Sequence, residues 1–169
     1  MLHLCDFIIS YGVRSSGARP LPRVTFVAEL ERKHPKLPVY CVVPNAKAQA
    51  LRLCATEIVE GTVNGNLIGR RSIKKWDAEE RSPWFVEFTS PFCQKAGIEV
   101  GDKLKVTLWL ASTALPAELE HALQASPVLQ AKWNALTDYS RRTSTEHVHA
   151  GKSPTTRSRR VAAIINNLT

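Results

Sequence analysis

From Arg23 onward, apolar and polar positions alternate along the chain. Val24, Phe26, Ala28 and Leu30 share one side of a two-residue period and Thr25, Val27 and Glu29 the other, which predicts a strand with one apolar face. Pro35 and Pro38 punctuate the turn that follows. Val39-Tyr40-Cys41-Val42-Val43 reads as a second strand halted by Pro44, and Asn45 is placed to cap a helix running to about Leu53. The segments Thr56 to Val63 and Asn66 to Trp76 flank Asn64-Gly65, the dipeptide of a type I′ hairpin turn, in which both central residues take positive φ. Trp84 to Phe88 is a further strand, Ser90 to Ala96 a short helix, and Gly101-Asp102 a turn into Lys103 to Ala111. In that last strand Leu104, Val106, Leu108 and Leu110 face inward, while Lys103, Lys105, Thr107 and Trp109 take the other side.

Six such strands with one inserted helix are readily closed into a small barrel, which removes exposed edges. The expected fold class is therefore α+β, mainly β: a small closed six-stranded β-barrel with an inserted helix, and a C-terminal helical segment packed on it. Residues 14–22, rich in Ser, Gly, Arg and Pro, read as a linker, giving an N-terminal extension over 1–22, a barrel over 23–112 and the helical segment over 113–169.

The pattern changes period near the C-terminus. Ser153 is a good N-cap and Pro154 suits the first helical position, where a missing N–H costs nothing. Val161, Ile164, Ile165 and Leu168 then follow at i, i+3, i+4, i+7, and at about 100° per residue Arg157 falls over that stripe, Arg159 points away and Arg160 sits at its margin. An arginine aimed at a core must find a carboxylate, carbonyls or a bound anion, because an unpaired buried charge is too costly to keep. Lys152, Arg157 and Arg160 are thus the candidate anion or ligand residues, with an ion pair or carbonyl clamp as the structural alternative.

The run Lys152, Thr156, Arg157, Arg159, Arg160, Val161 resembles the C-terminal segment of the bacteriocin-protection family, also called YdeI or OmpD-associated, whose pattern is approximately A-K-K-x-E-T-R-x-R-R-I. Upstream, Leu115-Pro116-Ala117-Glu118-Leu119 with Ala122-Leu123 is similar to its L-P-x-D-L-x-x-A-L, Trp133 occupies its aromatic position, and Ser140-Arg141-Arg142 matches its S-x-R-R. The chain departs at Ser153 and Thr155, where Lys and Glu are usual, so no role of that Glu carries over. The preceding elements resemble the small six-stranded barrel of unknown function commonly found before this tail, with Glu60 to Gly65 and Ala96 to Asp102 as landmarks. Cys93 stands where that barrel has an arginine. The resemblance implies a stress or envelope-protective role.

Composition narrows the remaining classes. The net charge of +8 over 169 residues divides into about +3 up to residue 60, +2 from 61 to 112 and +3 beyond. Dispersed charge implies weak, sequence-independent attraction to polyanions rather than a dedicated basic arm. Cys5, Cys41, Cys54 and Cys93 form no C-x-x-C pair, and His147 and His149 point to different helix faces, so neither a metal site nor a cofactor is expected. Residues 2–9 are apolar but short, lack a basic leader and carry Asp6, which argues against a signal peptide or membrane span and for a cytoplasmic location. Gly151-Lys152-Ser153 lacks the earlier glycine of a phosphate loop, and Glu79-Glu80 reads as a solvated turn. No Ser, His and acid set carries a nucleophile signature.

The leading expectation is a non-enzymatic cytoplasmic protein of the bacteriocin-protection type. Two rivals stand beside it. One is nucleic-acid binding through Lys103, Lys105 and Trp109 on one strand face, with Phe88 to Asp102 similar to the pattern of AbrB-like DNA binders apart from Cys93. The other is an enzyme using a pocket at the barrel mouth.

Overall fold

The computed structural model describes residues 22–77 and 82–169. The expected N-terminal extension up to residue 21 and the Glu79-Glu80 turn lie outside these residues. The chain groups into two compact units, one ending at Ala111 and one spanning Ser112–Thr169.

The first unit contains β1 (Arg23–Glu29), β2 (Val39–Val43), α1 (Asn45–Ala50), β3 (Glu57–Val63), β4 (Asn66–Leu67), β5 (Arg71–Lys75), β6 (Trp84–Phe88), α2 (Ser90–Ala96) and β7 (Lys103–Leu110). All strand pairs are antiparallel, in the order β1-β7-β3-β5-β6-β2, with β4 attached to β3. Alternation sends Val24, Phe26, Val59, Val63, Ile73, Val86, Phe88, Leu104, Val106 and Leu108 into one core. Leu104 and Leu108 are fully buried, and each such side chain contributes about 1.5–3 kcal/mol relative to exposure.

The expected closed barrel is instead an open, curled half-barrel, because β1 and β2 form no ladder with one another. Beyond β1, a single bridge joins Glu31 and Tyr40, with two N–H···O bonds of 2.9 Å. That register has no room to run on into a full ladder. Two residues beyond the position that would face Glu29 the chain reaches Pro44, which has no N–H to donate and leads into α1. That helix packs beside β1 and buries Ala48 with the following Leu51, so a helix occupies the place a closing strand pair would take.

Two local expectations also shift. Pro44, not Asn45, holds the N-cap position of α1, its carbonyl accepting from Lys47 and Ala48 with no side-chain cap. The helix ends by Ala50 in a Schellman arrangement: Arg52 takes φ +58, Arg52 N–H donates to Gln49 O and Leu53 N–H to Ala48 O. The single strand expected over 66–76 is split at Ile68 to Arg70, where Ile68 turns into the core and donates to the Gly61 carbonyl at 3.0 Å. The turn itself is as expected, with Asn64 at φ +48 and Gly65 at φ +83.

The second unit is a cluster of four helices, α3 (Ala117–Gln124), α4 (Pro127–Ala135), α5 (Asp138–His149) and α6 (Pro154–Leu168). Leu119, Leu123, Trp133, Val148 and Val161 form its core, with Ile164, Ile165 and Leu168 packed against it. Three of the helix starts carry a hydroxyl cap: Ser126 accepts from Leu129 N–H, Thr137 from Ser140 N–H and Ser153 from Thr156 N–H.

Candidate functional site

The strand register places Lys103, Lys105 and Trp109 on one outer face. Reading across β1, β7, β3 and β4, Arg23, Trp109 and Glu60 form one row, and Thr25, Thr107, Thr62 and Leu67 the next. Val27 stands opposite Lys105, and Glu29 opposite Lys103. Arg23, Thr25, Val27, Lys103 and Lys105 are exposed, and Trp109 is half-buried.

The row through Trp109 is built. The Arg23 guanidinium carbon lies 4.5 Å from the Trp109 ring centroid, and the indole Nε1–H donates to Glu60 Oε2 at 3.3 Å. The other Glu60 oxygen takes Arg70 at 3.5 Å. The carboxylate thus orients the ring while its charge is matched by Arg70. Beside it, the Thr25 and Thr107 hydroxyls share a hydrogen bond of 2.9 Å, and Asn64 Oδ1 accepts from Lys105 N–H at 2.9 Å. Sequence reading found the β7 members of this face. It missed Arg23, Thr25 and Glu60, whose proximity depends on which strands flank β7.

The helical unit shows what holds its arginines. Arg157 Nε donates to Glu118 Oε1 at 2.7 Å, and another of its nitrogens to the Gly151 carbonyl at 3.3 Å. The Glu118 carboxyl is held below its ordinary range, first by its own backbone N–H and then by Arg157. Arg160 donates to the His147 carbonyl, and Arg141 joins Asp138 and the Asn134 carbonyl. Arg157 and Arg160 therefore act as clamps between α6 and the rest of the unit, while Lys152 and Arg159 are exposed. Gly151 is needed at the turn: a Cβ there would stand 2.7 Å from Arg157 Cγ and 3.1 Å from the Val148 carbonyl. Glu118 is the partner that sequence reading did not identify, although it stands at the Asp position of the L-P-x-D-L element, 39 residues upstream of Arg157.

An open cleft of about 400 Å³ lies beside α2, lined among others by Leu30, Arg32, Val39, Cys93, Gln94 and Glu99. Burial pushes the Cys93 thiol up, against the opposing pull of Arg32 and Arg71, and pushes Cys41 to about 12. Neither thiol is tuned towards a thiolate. On the outer face of β2 and β6, Trp76 stacks on Phe85 with centroids 4.2 Å apart and meets Tyr40 edge-on at 4.9 Å, while the Tyr40 hydroxyl donates to Glu31 at 3.0 Å. Among the described residues, no group of three or more His, Cys, Asp or Glu side chains is placed to hold a metal ion.

Residues 112–169 match the family described as Bacteriocin-protection, YdeI or OmpD-Associated. The matched stretch coincides with the helical unit, and the β unit before it is consistent with the barrel-type domain expected there. No curated protein and no solved structure matches the chain.

Proposed function

We propose that the protein is a non-enzymatic, cytoplasmic binding protein with a stress or envelope-protective role of the bacteriocin-protection type. The observation that carries this reading is the family match over the whole helical unit. Two features support a binding role rather than a reaction. Arg157 and Arg160 of the matched motif are committed to Glu118 and to backbone carbonyls, and burial favours the protonated form of the cleft-lining Cys93 and of Cys41 in the core. Among the described residues, no helix is long and apolar enough to cross a membrane.

The test is survival of a bacteriocin-sensitive bacterial strain expressing the full chain, over a range of bacteriocin doses, against an empty vector. A shift of the killing curve to higher dose is expected, with the chain in the cytosolic fraction and the bacteriocin unchanged in mass after incubation with purified protein. Coincident killing curves at good soluble expression would refute the protective role, and a cleaved or modified bacteriocin would refute the non-enzymatic one.

A further inference from the structure

We propose that the outer face of β1, β7 and β3 is a docking platform for single-stranded nucleic acid. The inference is independent of the protective role proposed above, since it rests on the β unit alone.

The face combines two kinds of group that such a ligand requires. Lys103 and Lys105 are exposed cations two residues apart on one strand, about 6.6 Å along it, and both lie on the side away from the core. Four residues along β7 from Lys105, about 13 Å away on the same face, the Arg23 guanidinium lies over the Trp109 ring, and the aliphatic side chains of Val27 and Leu67 at the flanks of the face are 66% and 76% exposed. Val27 stands opposite Lys105 on β1, and Leu67 lies on β4 at the end of the Thr25, Thr107 and Thr62 row, so each flanks the basic and hydroxyl rows with an apolar contact. The Thr25, Thr107 and Thr62 row supplies hydroxyls between the aromatic and basic ends.

Charge complementarity selects the occupant. Arg23, Arg70, Lys103 and Lys105 stand against Glu29 and Glu60, and Glu60 is already engaged by Trp109 and Arg70. The remaining field is positive, which fits a phosphate backbone. The Arg23–Trp109 pair discriminates further, because guanidinium and indole groups stack on unstacked bases, which a duplex keeps inside its helix. An acidic peptide would use the lysines but leave the stacking surface idle. Few cations and no deep groove make the binding weak and sequence-tolerant.

Fluorescence anisotropy of the full chain with a labelled oligothymidylate, a duplex of equal length and a poly-glutamate peptide tests the proposal. The single strand should bind with Kd of roughly 1–100 μM at low salt, and lose about tenfold between 50 and 200 mM salt if two to three phosphates are contacted. Lys103→Glu with Lys105→Glu should weaken binding at least tenfold, and Arg23→Ala severalfold, each variant remaining folded at the assay temperature by circular dichroism although Arg23→Ala loses the Trp109 contact and Lys103→Glu faces Glu29. Bound oligonucleotide should also quench the tryptophan emission of the parent chain but much less that of Trp109→Phe. The proposal is overturned if the single strand does not bind at low salt, if the duplex or the peptide binds as tightly, or if the charge-reversed variant binds like the parent.

Discussion

Replacing Gly61 by alanine should be among the most damaging single-methyl additions the β unit can receive. Gly61 lies on the inward parity of β3, opposite Leu108 of β7, and a Cβ built there would stand 2.1 Å from the Thr107 carbonyl oxygen and 2.9 Å from Leu108 Cδ2. The leucine methyl can rotate away. The carbonyl cannot, because β7 is held between β1 on one side and β3 on the other. Reaching ordinary contact requires the strands to separate by more than about 1 Å, against a normal spacing of about 4.8 Å, which breaks the ladder around Glu60↔Trp109 and Thr62↔Thr107. Overpacking with a backbone shift costs about 1–3 kcal/mol, and each ladder bond lost adds about 0.5–1.5, so the total is roughly 3–5 kcal/mol. For a unit of this size that is a fall in melting temperature of roughly 12–40 °C. Gly65→Ala is the internal control: nothing lies within 4 Å of its Cβ, and only its φ of +83° is strained, at about 1–2 kcal/mol. Urea and thermal unfolding followed by far-ultraviolet circular dichroism measure both. If Gly61→Ala is no more destabilising than Gly65→Ala, the close approach of β3 and β7 is wrong.

Arg157→Ala should lower the melting temperature by more than about 4 °C and Arg159→Ala by less than about 1 °C, since only Arg157 is clamped to Glu118 and Gly151. The Glu118 carboxyl titrates below its ordinary value near 4.5, so its contribution is complete above that pH and is lost as the pH falls through the lower folded value; the melting temperature of Glu118→Gln should therefore depend less on acid than that of the parent, and parallel profiles would contradict the ion pair. Cys41 titrates near 12 in the folded chain against 9 unfolded, so stability should decline as the pH rises between those values, less so in Cys41→Ala. In a Cys5→Ser background, a thiol-reactive disulfide reagent should modify exposed Cys54 at once, Cys93 slowly and Cys41 only on unfolding; rapid labelling of all three would refute the burial of Cys41.

Much of the fold was legible because the relevant signals are local. The alternation at Val24 to Leu30 and at Lys103 to Leu110, the Asn64-Gly65 turn, and the Ser153-Pro154 helix start each depend on residues within one element, and each forms as the pattern predicts. Closure was not legible, because it depends on whether strands far apart in the chain find compatible edges, and Pro44 with α1 takes the place of that pairing. The same limit governs the side chains. The helical period placed Arg157 over the apolar stripe, but its partner Glu118 lies 39 residues away on another helix, and periodicity within α6 contains no information about it. Trp109 and Lys105 were visible on their strand, whereas Arg23 joins them only through the pairing of β1 with β7.

This division bears on where activity should be sought. The residues that carry the family resemblance most strongly, Arg157 and Arg160, spend their hydrogen bonds on Glu118 and on the carbonyls of Gly151 and His147, and so fix α6 relative to α3 and α5. Glu118 stands at the Asp position of the L-P-x-D-L element and Arg157 in T-R-x-R-R, so two stretches that look independent in the sequence supply the two halves of one ion pair here. A motif of that kind specifies a shape. Its arginines would have to leave their carbonyls to meet a ligand, exposing polar groups that then need new partners. The outer face of β1, β7 and β3 is under no such constraint: Lys103 and Lys105 are exposed, and Val27 and Leu67 lie open to solvent. Among the described residues Lys103 and Lys105 carry no such clamp, which is why that face, rather than the arginine motif, is the first place to look for a partner.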